Sequence, residues 1–114
     1  EPQRIFETNN PFGYVRLNTR SAGGSGRRKL CVADWDGDGR MDVLANSPNA
    51  ELWRNIADRE GMYKLINQGT LFKRNISSHT TSPTVVDWNG DKVPDLLVGA
   101  EDGFLYYGKN PRSR

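Results

Sequence analysis

The chain has 114 residues, of which 35% are hydrophobic and 26% charged, with 12 glycines and a net charge of +2. This is the profile of one small, turn-rich globular domain. The mild, scattered positive charge offers no basic face for nucleic acid, and no apolar run reaches the length of a membrane span. No signal-peptide pattern stands at the amino end, so a mature form or an excised piece is expected. Cys31 is the only cysteine, which excludes an internal disulfide; in the run Leu30-Cys31-Val32-Ala33 it reads as a small buried hydrophobe.

The predicted elements are all strands. Arg4–Glu7 is a short strand candidate, broken by Asn9-Asn10-Pro11, and Phe12–Asn18 alternates again. Ser21–Gly26 is a flexible loop, closed by Arg27-Arg28-Lys29. Strands are then predicted over Lys29–Trp35, Asp42–Asn46 and Ala50–Ile56, with a turn at Ser47-Pro48-Asn49. Met62–Phe72 is a further strand, interrupted at Gly69, and Ser77–Ser82 is a polar loop. Thr84–Trp88, Leu96–Gly99 and Phe104–Tyr107 complete the series, the last two joined by a turn at Glu101-Asp102-Gly103. No segment carries a helical period.

One stretch organises this series. Asp34-Trp35-Asp36-Gly37-Asp38-Gly39-Arg40-Met41-Asp42 returns as Asp87-Trp88-Asn89-Gly90-Asp91-Lys92-Val93-Pro94-Asp95. Both copies hold acidic or amide side chains at relative positions 1, 3, 5 and 9. Oxygen donors at alternate positions, with glycine where the chain turns sharply, are what a loop around a hard cation requires, so both copies read as calcium loops. An EF-hand would place Glu at position 12, where the first copy has Ala45. An offset of 53 maps Val32 to Val85, Asp34 to Asp87, Leu44 to Leu97 and Leu52 to Leu105, and aligns Trp53 with Tyr106. Each repeat thus reads as strand, acidic loop, strand, tight turn, strand, longer connection, strand, the size of one propeller blade.

The runs Val32–Leu44 and Thr84–Gly99 resemble the FG-GAP, or VCBS, repeat, whose copies form β-propeller blades in integrin α chains and in secreted bacterial carbohydrate-active proteins. The resemblance implies an all-β chain of two four-stranded antiparallel propeller blades, at about 1–60 and 61–114, belonging to a larger or oligomeric propeller. It implies Ca2+ ligands at Asp34, Asp36, Asp38 and Asp42 with the Arg40 carbonyl, and at Asp87, Asn89, Asp91 and Asp95 with that of Val93. Asn89 removes one charge from the second set, and Lys92 stands where the turn wants glycine, so the second site is expected to be the weaker. Trp35 and Trp88 are expected to pack between blades, with Trp53 as core.

Two blades cannot bury their own faces, since propellers close with about 4–8. The expected partners are the remaining blades of a larger propeller or copies of the chain itself, with the amino-terminal strand closing the last blade. In a meander the turn edge lies opposite the metal loops and is free for a ligand. There His79, Arg27, Arg28, Arg20 and Glu101 are the ionisable candidates, and His79 with Arg27 or Arg28 would suit a polysaccharide lyase. Two functions are therefore carried: a calcium-stabilised module binding carbohydrate or protein, and a segment of a propeller-type lyase or glycoside hydrolase. Calcium and the family analogy place either one outside the cell, in the periplasm or on the cell surface.

Overall fold

The computed structural model describes residues 1–9, 13–15, 29–47, 49–59, 61–76 and 81–113. Among the described residues there are seven strands: β1 (Leu30–Ala33), β2 (Asp42–Asn46), β3 (Ala50–Asn55), β4 (Leu65–Thr70), β5 (Thr81–Val86), β6 (Asp95–Ala100) and β7 (Leu105–Gly108). They form two antiparallel meanders, of order β1-β2-β3-β4 and β5-β6-β7. The described residues contain no helix long and apolar enough to cross a membrane.

Among the described residues the first sheet has the expected four strands and the second has three. Beyond β7 the chain turns at the buried Asn110, whose side chain bonds the backbone of Trp35 at 3.0 Å. The amino-terminal segment lies against the first sheet. The Glu7 N–H donates to the Tyr63 carbonyl and the Leu65 N–H to that of Glu7, each at 2.8 Å, and Tyr14 bridges Glu7 from the other side.

Register shows where the two repeats diverge. Leu44 pairs with Leu52 in the first sheet, and its counterpart Leu97 pairs with Tyr107 in the second. The 53-residue offset therefore holds through β6 and becomes 55 in β7, because the β6–β7 turn is two residues longer than the β2–β3 turn. Leu52 corresponds to Tyr107 and Trp53 to Gly108, not to Leu105 and Tyr106. The Phe72 ring fills the space beside Gly108, where an added Cβ would collide with it. β5 begins upstream of its predicted start and includes Pro83, which an edge strand tolerates because one of its sides needs no donor.

The main core lies between the sheets: Trp35, Leu44, Ala50 and Leu52 of the first repeat meet Leu96 and Val98 of the second. Burying a side chain such as Leu44 contributes about 2 kcal/mol. Cys31 packs against this cluster half-buried, and burial pushes its thiol pKa up, as suits an unreactive hydrophobe. Val43, Ala45, Trp53 and Leu65 form a smaller cluster on the other face of the first sheet. Among the described residues, two apolar surfaces are exposed. One is a groove of about 320 Å³ lined by Ile5, Phe6, Leu30 and Val32. The other carries Leu105, Tyr107 and Trp88 on the second sheet. The two tryptophans expected between blades consequently differ: Trp35 is 6% exposed, whereas Trp88 is 65% exposed and rests at a tilt against Tyr107.

Candidate metal centre

β1 ends at Ala33 and β2 begins at Asp42, so the first acidic loop closes one edge of its sheet; β5 and β6 bound the second loop in the same way. The chain turns tightly in each. Gly37 and Gly39 have φ of +78° and +86°, and Gly90 and Lys92 have +77° and +70°. Position 6 is thus left-handed in both loops, and Lys92 takes this conformation despite its side chain.

Hydrogen bonding repeats almost atom for atom. Asp34 Oδ1 accepts from the N–H groups of Gly37 and Asp38, and its Oδ2 from that of Gly39 at 2.8 Å. Asp87 accepts in the same places from Asp91 at 3.1 Å and Lys92 at 2.7 Å. Asp36 and Asn89 each accept from the residue two ahead, at 3.3 Å. Arg40 and Val93 donate their N–H groups to Asp38 and Asp91, each at 2.9 Å. These are Asx-type turns, which shape the loop before any cation arrives.

The ninth position of each loop is buried, with Asp42 and Asp95 each 0% exposed. Asp42 Oδ1 accepts from Asn55 N–H at 2.8 Å and Oδ2 from Trp35 N–H at 3.0 Å. Burial raises the Asp42 pKa; these two hydrogen bonds oppose the rise, and the Asp36 and Asp38 charges add to it. Asp95 Oδ1 accepts from Asn110 N–H at 2.9 Å, but its Oδ2 is buried without a hydrogen-bond partner. A bare buried carboxylate oxygen is costly, and a bound cation would satisfy it. Tyr107 stands beside this loop; burial raises its phenol pKa first, then hydrogen bonding to the Asp95 side chain and that carboxylate's charge, with the charges of Asp91 and Asp87 behind them.

Of the four carboxylates predicted for the first loop, the structure gathers three. Single oxygens of Asp34, Asp36 and Asp42 lie within 4.8 Å of one another. Asp38 turns toward arginine instead: its Oδ2 is 3.4 Å from Arg40 Nη1 and 4.0 Å from Arg54 Nη2. The Arg40 N–H bond is the chief cause that lowers the Asp38 pKa. Arg54, on β3, also donates to Asp36 at 2.7 Å. The donor set is oxygen only, with acidic side chains at alternate positions and a preformed turn, and it fits a hard divalent cation such as Ca2+.

Several contributors were missing from the sequence reading. Arg54, Asn110, Arg112 and Ser113 all touch the loops. A repeat alignment that allowed for the longer turn would have found Asn110, the partner of Asn55: each accepts an N–H bond from the residue two ahead. His79, Arg27, Arg28 and Arg20 lie outside the described residues, while Glu101 is exposed in the β6–β7 turn. A cleft of about 490 Å³ opens on the loop edge, beside Arg40, Asp58, Arg59 and Tyr63.

A family model described as an FG-GAP-like repeat matches residues 34–98, a span that takes in both acidic loops. No curated protein and no solved structure matches the chain.

Proposed function

Because the chain belongs to the FG-GAP-like repeat family, we propose that it is a calcium-binding β-propeller module that works outside the cell and binds a carbohydrate or a protein. The observation that carries the metal reading is the pair of loops itself. One draws carboxylate oxygens of Asp34, Asp36 and Asp42 to within 4.8 Å, and the other buries a partnerless Asp95 Oδ2. Calcium in each loop would neutralise the crowded carboxylates and pin one edge of each sheet. The first site is the tighter, with four carboxylates against three. The ligand surface is assigned to the turn edge, because cations occupy the loop edge; the cleft beside Arg40 and Arg59 is the rival surface.

The two open apolar faces are assigned to neighbouring blades. Leu30 and Val32 front one, Leu105 and Trp88 the other, so each contact joins unlike surfaces and the blades arrange head to tail. Calorimetric titration of chelator-treated protein with Ca2+ tests the metal reading. Two sites are expected, with Asp36→Asn weakening the tighter and Asp91→Asn the looser. A chain that takes up no Ca2+ sinks it. Sedimentation tests the blade reading, which a well-behaved 12.8 kDa monomer with no exposed apolar surface would overturn.

A further inference from the structure

Residues 109–113, which follow β7, touch both loops at once. Asn110 is buried; its Nδ2 donates to the Trp35 carbonyl at 3.0 Å and to the Pro94 carbonyl at 2.9 Å, while its N–H holds Asp95 Oδ1. Arg112 reaches the first loop. Its Nε and Nη2 donate to the Trp35 carbonyl at 3.1 and 2.8 Å, and Nη2 reaches the Asp34 carbonyl at 3.3 Å. Ser113 reaches the second loop, where its Oγ donates to Asp91 Oδ2 at 2.8 Å and accepts from Asn89 Nδ2 at 3.1 Å. Gly37 leaves room for this arrangement: a Cβ there would lie 2.5 Å from Arg112 Nη1, whereas Gly90 faces open space. The segment therefore grips the backbone of one loop and three ligand-position side chains of the other.

We propose that this segment is a strap that couples the two cation sites, an inference that rests on the metal reading above. The two-state element is the strap itself, docked or released. A cation at the second loop fixes Asp91 and Asp95, which hold Ser113 and Asn110 and so keep the strap docked. The docked strap presents Arg112 and Asn110 to the carbonyls of Asp34 and Trp35, holding the first loop in its turned form. The ordering is then completed once for both sites, so the first cation makes the second easier to bind, and by linkage the effect is reciprocal. Arg112 and Asn110 are positioning residues for the first site. Ser113 is a hydroxyl partner of the second.

The test measures Ca2+ affinity at the first loop with the second loop intact or disabled by Asp87→Asn, in the unaltered chain and in Arg112→Ala. With the unaltered strap, disabling the second loop should weaken the first by about fivefold, the low end of ordinary site coupling. In Arg112→Ala the same change should leave the first loop unmoved. The difference between the two comparisons is the readout, because Arg112 also carries a positive charge whose removal shifts the first site's affinity by itself. Arg112→Lys, which keeps the charge without the fork, should behave as Arg112→Ala. Metal-free melting of each variant checks that the sheets are intact. If Asp87→Asn leaves the first loop unchanged in the unaltered chain, or weakens it equally in Arg112→Ala, the strap proposal fails and the metal reading stands. If the unaltered chain binds no Ca2+, both fail.

Discussion

Asp42 and Asp95 occupy the same place in two copies of one loop, yet they are satisfied differently. Asp42 accepts hydrogen bonds from Trp35 and Asn55, while Asp95 accepts from Asn110, and its buried Oδ2 has no partner at hydrogen-bond distance although the Tyr107 hydroxyl interacts with the carboxylate. The surroundings differ in the same sense. The first loop holds an internal countercation in Arg54, 2.7 Å from Asp36. The second has Lys92 in a left-handed conformation and Ser113 against Asp91. Both loops run the same backbone programme, so the contrast arises from what packs behind each. β1 and β2 of the first repeat lie against β5 of the second, and Trp35 is buried there. The corresponding surface of the second repeat is open, and Trp88 stands in solvent.

The largest way to break the comparison is at the buried aspartates. Without metal, Asp42→Ala strands two buried N–H groups and should cost about 2–4 kcal/mol, whereas Asp95→Ala strands one and removes an unsatisfied oxygen. Its cost should stay near or below about 1 kcal/mol, so chemical denaturation in chelator should separate the variants clearly. Equal losses would mean that the two loops are alike in solution.

Lys92→Gly moves the second loop toward the first. It relieves a left-handed non-glycine residue and should raise metal-free stability by about 1 kcal/mol, read as a rise in melting temperature. A fall would show that the Lys92 side chain makes up for its backbone strain. Arg54→Ala acts on the first loop alone. Freed of its internal cation, that loop should bind Ca2+ about threefold more tightly, within the range of a partly exposed ion pair. Unchanged affinity would mean that Arg54 stays in place when the cation enters.

The smallest effect lies in the turns at the other edge. The β2–β3 turn is clamped by the buried Asn49, which donates to the carbonyls of Phe72 and Arg74 at 2.9 Å, and by Thr81, which donates to Ser47. The longer β6–β7 turn relies on an exposed pair, the Tyr106 hydroxyl donating to Asp102. That bond is the first cause lowering the Asp102 pKa and the first cause raising that of Tyr106. The carboxylate part of its stabilisation is present above the unfolded aspartate value and is lost as pH falls through the lowered folded one. The phenol part is present below the unfolded tyrosine value and is lost as pH rises through the raised folded one. Tyr106→Phe should flatten both limbs of the stability profile slightly and leave Ca2+ binding unchanged; a profile identical to that of the unaltered chain would show the pair to be idle.

Much of this was legible in the residues. The strand predicted over Asp42–Asn46 has its predicted bounds, and the acidic loops stand between strands where the spacing put them. At Lys92 two outcomes were open, a left-handed residue or a shifted loop, and the structure has the first. These are local consequences of alternation, of Asx hydrogen bonding and of glycine placement, all contained within a few residues. The longer turn was not legible as such: Leu105 and Tyr106 are plausible partners for Leu52 and Trp53 until strand pairing places Tyr107 and Gly108 opposite Leu97 and Leu96.

The repeat, its all-β character and the alternating acidic pattern of each loop were readable from the residues alone, since these rest on periodicity and spacing along the chain. Which carboxylates gather, how each buried aspartate is satisfied and which residues reach across depend on packing between the sheets. Asn110 and Trp35 are 75 positions apart, and no local pattern in either announces the other. Their contact exists because the sheets pack through Trp35, Leu44, Leu96 and Val98, bringing the end of β7 over the first loop. Packing between sheets is a property of surfaces, and surfaces form only once the strands have paired.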